Sequence, residues 1–187
     1  SHEVELDVYT SAEATGHRAE YIRDGMKWRQ WSDNMHRLKS EGKLRGLHVM
    51  ATPSVLSIME MTQFLDWCLY FKQIYGRDAF TFTLNILRFP SFQSPLVLPD
   101  AIRTQHKERL QRWLDTWTNN IMLQEHERNH VQRLIDYLDV VKTPHADSAE
   151  QSVLQQDFKK FYSQYDQRRN KNFTQAFPNL AEWYNSL

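Results

Sequence analysis

The most conspicuous chemistry-bearing spacing is His126-Glu127-Arg128-Asn129-His130. On a helix, histidines at i and i+4 share a face, where their imidazoles can hold zinc while the glutamate between them activates water as a general base. A metal-dependent hydrolase built on His126, Glu127 and His130 is therefore one reading, with Glu150 as a further ligand. The surroundings point elsewhere. Gln124, Glu125, Arg128, Asn129 and Gln132 make a polar stretch beside the apolar stripe Leu123, Val131, Leu134 and Leu138. The expectation is the solvated side of an amphipathic helix, with no metal bound. Cys68 lies among Leu65, Trp67, Leu69 and Phe71, company that suits a small buried hydrophobe better than a nucleophile. Lys159, Lys160, Arg168, Arg169 and Lys171 interleave with Phe161, Tyr162 and Tyr165, the raw material of an RNA-binding interaction module. The rings recur at helical spacing and Asp157 and Asp166 dilute the charge, so a helix with a core stripe is expected and nucleic acid is not.

Polar residues at the ends of strands offer a different chemistry, because parallel α/β sheets and barrels bind ligands at the carboxyl ends of their strands. Ser11 and Glu13 follow the first predicted strand, Thr52 and Ser54 the second, and Arg88 the third. His48 and Asn85 point from within strands toward a barrel interior, making His48, Asn85 and Arg88 a candidate pocket.

The elements that would position these groups follow from periodicity. Val4, Leu6 and Val8 alternate with Glu5, Asp7 and Tyr9, a strand with one buried face, followed by a loop from Ser11 to Gly16. Trp28, Trp31, Met35 and Leu38 form a helical stripe, with Gly42 and Gly46 punctuating its end. Leu47 to Ala51 reads as a second strand stopped near Pro53. Ser57-Ile58-Met59-Glu60 has the form of a capping box opening a helix whose inner side is Met61, Phe64, Leu65, Cys68 and Phe71, with Gly76 to end it. A third strand over Phe80 to Leu87 places Phe80, Phe82, Leu84 and Ile86 on one face and Thr81, Thr83 and Asn85 on the other. Strands separated by helices imply parallel pairing.

Arg88 to Pro99 holds three prolines among apolar residues and reads as an ordered loop packed on the body. Helices are expected over about 100–117, 121–141 and 148–166, with a break at Thr143 to Asp147 and a last helix after Pro178. The apolar face of the 148–166 helix would be Val153, Leu154, Phe158, Phe161, Tyr162 and Tyr165.

Composition narrows the function classes. At 187 residues the chain is long enough for one domain with a sizeable core. Lys+Arg 23 against Asp+Glu 23 gives a formal net charge of zero, so no basic surplus points to nucleic acid or anionic lipid. One cysteine excludes an intrachain disulfide framework and any multi-thiolate metal site. No apolar run of about 18 residues exists to span a membrane. The start Ser1-His2-Glu3-Val4 has no basic head followed by an apolar stretch, and with a single cysteine a cytoplasmic setting is expected. No G-x-S-x-G elbow, P-loop or Gly-rich dinucleotide turn occurs.

Several ordered segments carry a resemblance. Thr10 to Trp28, containing Ser11-Ala12-Glu13 and Glu20-Tyr21-Ile22-Arg23-Asp24-Gly25, resembles the middle of a radical S-adenosylmethionine (radical SAM) protein of the twitch-domain type found in bacteria and phages. Arg88-Phe89-Pro90-Ser91-Phe92-Gln93-Ser94-Pro95-Leu96-Val97-Leu98-Pro99 is similar to that family's segment after the sixth strand. Arg133 to Leu138 and Asp166 to Pro178 are similar to its C-terminal region. The resemblance implies that the strands here correspond to the fourth, fifth and sixth of a six-strand partial barrel. It implies S-adenosylmethionine as cofactor, with Ser11 and Glu13 near its ribose or methionine part and Arg23 as the arginine of the I-R-x-G segment. The family holds an iron–sulfur cluster of the 4Fe-4S type through Cys-x3-Cys-x2-Cys, and that motif is absent from these residues.

The expectation is an α/β half (β/α) barrel over 1–99 followed by a helical portion over 100–187, packed as a single domain. Such a chain would not catalyse independently and would retain part of a cofactor pocket. Three strands leave two sheet edges and an inner face uncovered. A homodimer, an N-terminal half-barrel partner or the chain's own C-terminal helices are the expected cover.

Overall fold

The computed structural model describes residues 6–140 and 147–187. The three period-two stretches become β1 (Leu6–Ser11), β2 (Leu44–Ala51) and β3 (Thr81–Leu84), joined in the order β1-β2-β3 with both pairings parallel. Parallel neighbours need long crossovers. α1 (Gly16–Ile22) and α2 (Trp28–Glu41) supply the first, and α3 (Met61–Tyr75) the second. The chain is thus α/β, as expected. Backbone pairing continues past β3, since Asn85 donates to the Ala51 carbonyl and Leu87 to that of Pro53, close to the predicted extent of the third strand.

One face of the sheet is covered and the other is open. Leu47, Val49, Ala51, Phe82 and Leu84 are buried with Met35, Phe64, Cys68 and Phe71 of the helices. Fully burying one such phenylalanine contributes about 2 kcal/mol, so this face fixes which side the helices take. The opposite face carries Tyr9, His48 and Thr81 in one cross-strand row and Ser11, Met50 and Thr83 in the next. Tyr9 is 62% exposed and Met50 40%, so the C-terminal helices do not cover this face, contrary to one of the expectations above. The helices have an aromatic task instead, which holds them elsewhere.

α4 (Asp100–Trp117) and α5 (Glu125–Leu138) pack as a pair, with α5 lying along β3. α6 (Asp147–Arg169), α7 (Phe173–Ala176) and α8 (Ala181–Ser186) gather Phe158, Tyr162, Phe173, Phe177 and Tyr184 into a buried cluster against Tyr21 of α1. Two hydrogen bonds lock that contact: Tyr21 Oη donates to Asp166 Oδ1 at 2.7 Å, and Tyr165 Oη to the Tyr21 carbonyl at 2.6 Å. The proline-rich loop packs on the body as predicted, with Val97 and Leu98 buried and Gln151 and Gln155 of α6 donating to the Val97 carbonyl.

Several local expectations are corrected. Gly46 does not end α2; Gly42 does, and Gly46 sits inside β2, where a Cβ would come within 2.6 Å of the His48 ring and 2.7 Å of the Asp7 carboxylate. Ser57–Glu60 is a 3-10 turn without a capping box. Ser57 Oγ instead accepts from the Ser54 N–H and donates to the Thr52 carbonyl, while Glu60 turns to Thr15 and Arg18. α5 starts at Glu125, later than expected, because a turn at Asn120 intervenes. Val153, assigned to the apolar face of α6, is exposed, and Phe161 is partly so. Gly76 ends α3 as predicted, at a φ of +100° that glycine adopts without strain. Val4 and the break at Thr143 to Ala146 lie outside the described residues.

Candidate functional site: the open face and carboxyl edge of the sheet

At the end of β1 the chain turns inward, burying Ala12 and placing the Glu13 carboxylate under the first helix. Arg23, at the C-cap of α1, donates to Glu13 Oε2 from Nε at 3.0 Å and from Nη2 at 2.8 Å. Burial pushes the Glu13 carboxyl above its ordinary range, and the Arg23 bonds and a backbone bond from Thr52 pull it back. Nearby, Thr15 Oγ1 donates to Glu60 at 2.8 Å and Arg18 pairs with the same carboxylate at 3.0 Å. These pairs tie the loop after β1 to the loop after β2. Ser11 stays outside them, on the open face in register with Met50.

His48 is held from both sides on that face. Its ring stacks on Tyr9 with centroids 4.5 Å apart, and its Nδ1 lies 2.8 Å from Thr81 Oγ1. Gly46, one pleat earlier, leaves the room its imidazole occupies. Asn85 continues the same face just past β3. Ser11, His48 and Asn85 therefore share the open side of the sheet, as the strand pattern requires, and Glu13 and Arg23 are brought together beneath its edge.

The H-E-x-x-H stretch keeps the expected amphipathic pattern, with Glu125, His126, Asn129 and Gln132 exposed and Leu123, Val131, Leu134 and Leu138 buried, but Glu127 departs from it. Glu127 is fully buried, not solvated. Its carboxylate takes Lys72 Nζ at 2.7 and 2.8 Å, the Phe82 N–H at 3.2 Å and the Gln124 N–H at 2.9 Å. The last bond completes a capping box with the Gln124 side chain at the start of α5. With every lone pair so committed, the carboxylate has no water to activate. His126 is exposed, its ring centre 6.4 Å from that of His130. Among the described residues no group of three His, Cys, Asp or Glu could hold a metal.

His130 and Arg133 complete a row with Glu127 on one face of α5, at the i, i+3 spacing that brings helical side chains together. The Leu84 N–H lies 3.4 Å from His130 Nδ1, and Arg133 Nη2 donates to the Leu84 carbonyl at 2.5 Å and to His130 Nδ1 at 2.8 Å. Burial, then the Arg133 charge, lowers the His130 pKa, which favours the neutral ring that can accept from Arg133. This row supplies the hydrogen bonds that a fourth strand would give to β3. Sequence reasoning missed it, and missed Lys72; a lysine inside Leu69-Tyr70-Phe71-Lys72 on a core-facing stripe was the available signal.

Arg88 lies with its guanidinium 5.3 Å from the centre of the Tyr137 ring. Together with Asn85, Ile86 and Arg133 it lines a cavity of about 230 Å³ at the carboxyl end of β3. A larger cavity, about 480 Å³, lies between α1 and the α6–α7 turn. Its charges answer one another: Lys171 meets Asp24 at 3.0 Å and the Glu20 carbonyl at 2.7 Å, and Arg169 meets Asp24 at 2.6 Å. Lys159 is likewise spent on the Tyr184 carbonyl, at 2.7 Å. Three of the tail's cations, part of the basic and aromatic stretch suited to RNA, thus hold the fold together.

No family model, no curated protein and no solved structure matches the chain.

Proposed function

We propose that this chain is the cofactor-side and substrate-side wall of a radical SAM-type partial barrel, equivalent to its fourth to sixth strands, and that it does not carry out the radical chemistry by itself. One observation carries the reading: among the described residues, three parallel strands present a polar, uncovered face that adjoins an open edge at β1, while the β3 edge is closed by α5. Parallel sheets bury both faces when complete. A half-barrel partner, or a second copy of the chain, would supply the missing side.

The residues fit the cofactor in part. Ser11 offers a hydroxyl at the carboxyl end of β1, and Glu13 fixes the Arg23 guanidinium at the end of α1, groups suited to a sugar hydroxyl and a carboxylate. S-adenosylmethionine, when bound, would supply the radical precursor. The residues do not fit the iron–sulfur cluster, because Cys68 is the sole cysteine and is completely buried. The chain's own work is then orientation: Ser11 and Arg23 hold the cofactor, and His48, Asn85 and Arg88 face the substrate.

Titration of the full chain with S-adenosylmethionine, followed by amide NMR, tests this. Saturable shifts are expected at Ser11, Arg23 and the His48 row, weakened at least tenfold by Arg23→Gln. An unchanged spectrum at millimolar ligand would remove the cofactor pocket and with it the reading.

A further inference from the structure

We propose that Arg88 and Arg133 form an oxyanion subsite at the carboxyl end of β3, which takes a carboxylate or phosphate group of the substrate. The proposal rests on the open face being the substrate side of the sheet, as above.

Many arginines of the fold are paired with carboxylates, among them Arg18 with Glu60, Arg23 with Glu13, Arg45 with Asp7, Arg103 with Asp100 and Arg169 with Asp24. Arg88 and Arg133 stand apart because they share one concavity. Among the described residues neither meets a carboxylate, yet both line one cavity of about 230 Å³ whose lining contains no acidic residue. Two like charges at one concavity are held there only by the contacts that orient them, and a bound anion relieves their repulsion.

Those contacts leave the donors free. Arg133 spends Nη2 on the Leu84 carbonyl and His130, so Nε and Nη1 remain for a ligand. Arg88 is oriented by the face of the Tyr137 ring, a contact that uses charge and plane but no N–H. Tyr137 is itself fixed by a 2.9 Å hydrogen bond between its hydroxyl and Ser94 Oγ. A guanidinium fork can hold a carboxylate or phosphate through two parallel N–H bonds, which a lysine would not reproduce. The Asn85 side-chain amide, on the same lining, can donate to a third oxygen. The position is also the one where parallel sheets bind ligands.

Amide and arginine Nε NMR on the full chain, titrated with inorganic phosphate and separately with succinate at constant ionic strength, tests the subsite. Saturable shifts are expected at Asn85, Arg88 and Arg133, with phosphate the tighter probe for a phosphoester substrate and succinate the tighter for a carboxylate. Arg88→Gln, at an exposed position whose side chain bonds no backbone, should weaken binding at least tenfold without altering the rest of the spectrum, and Arg133→Lys should weaken it likewise while also shifting the Leu84 and His130 signals. Binding undiminished by Arg88→Gln, or equal shifts at the surface residues Arg77 and Arg168, would overturn the proposal. Phosphate or succinate binding with no response to S-adenosylmethionine would sink the radical SAM reading and leave the subsite standing. The reverse result would sink the subsite alone.

Discussion

Replacing Lys72 by methionine would leave the Glu127 carboxylate in the core with backbone N–H donors and no counter-charge. Stranding one partner of a buried ion pair costs about 3–5 kcal/mol, so Lys72→Met should lower the urea midpoint steeply, and Lys72→Met with Glu127→Gln should recover part of the loss. A single variant as stable as the parent would show that the pair contributes little. His106 makes the fold pH-sensitive from another direction. It is buried in α4, and desolvation, with the charges of Arg109 and Arg18, lowers its pKa from 6.5 to about 4. The unfolded chain therefore binds the extra proton first. The stability this histidine contributes is complete above its ordinary pKa and is lost as pH falls from 6.5 toward 4, by up to about 3 kcal/mol. Urea midpoints measured across that range should fall, and His106→Leu should flatten the curve.

The two edges of the sheet are treated differently, and hydrogen exchange should report it. Phe82 and Leu84 face α5, where Glu127 and His130 sit at their N–H groups. Among the described residues no side chain or strand bonds the outer edge of β1. Every second amide of β1 should exchange at least tenfold faster than those of Phe82 and Leu84, and equal protection would mean that β1 is covered in solution. The same element shows where the sequence stops being informative. His126 to His130 matched a metal pattern and Ser57 to Glu60 matched a capping box, yet the box forms at Gln124 and Glu127 and not at Ser57. A pattern of four or five residues states what a local segment can do. The outcome was decided by partners far along the chain: Lys72 for Glu127, Thr15 and Arg18 for Glu60.

At the scale of the molecule, the order of strands and helices was legible because alternation and helical stripes record burial directly. Gly76, the proline-rich loop and the helix over 100–117 fell where the pattern put them. The open side of the sheet was legible too, as the row Thr81, Thr83 and Asn85. What covers it was not, because the apolar surface of α6 to α8 is spent on Tyr21 and on itself, a choice between two partners that composition does not express. One core cluster runs from Ala12 to Tyr184, through both the strands and the C-terminal helices.

The one-sided closure by α5 also sets how copies of the chain can meet. A sheet with two bare edges can add neighbours without end, as fibres do. Here only β1 presents a bare edge among the described residues. Two chains joined there about a twofold axis would build a six-strand sheet whose outer borders are both occupied by α5, and growth would stop at the pair. In such a pair the helix that carries the H-E-x-x-H spacing would end the sheet on both sides.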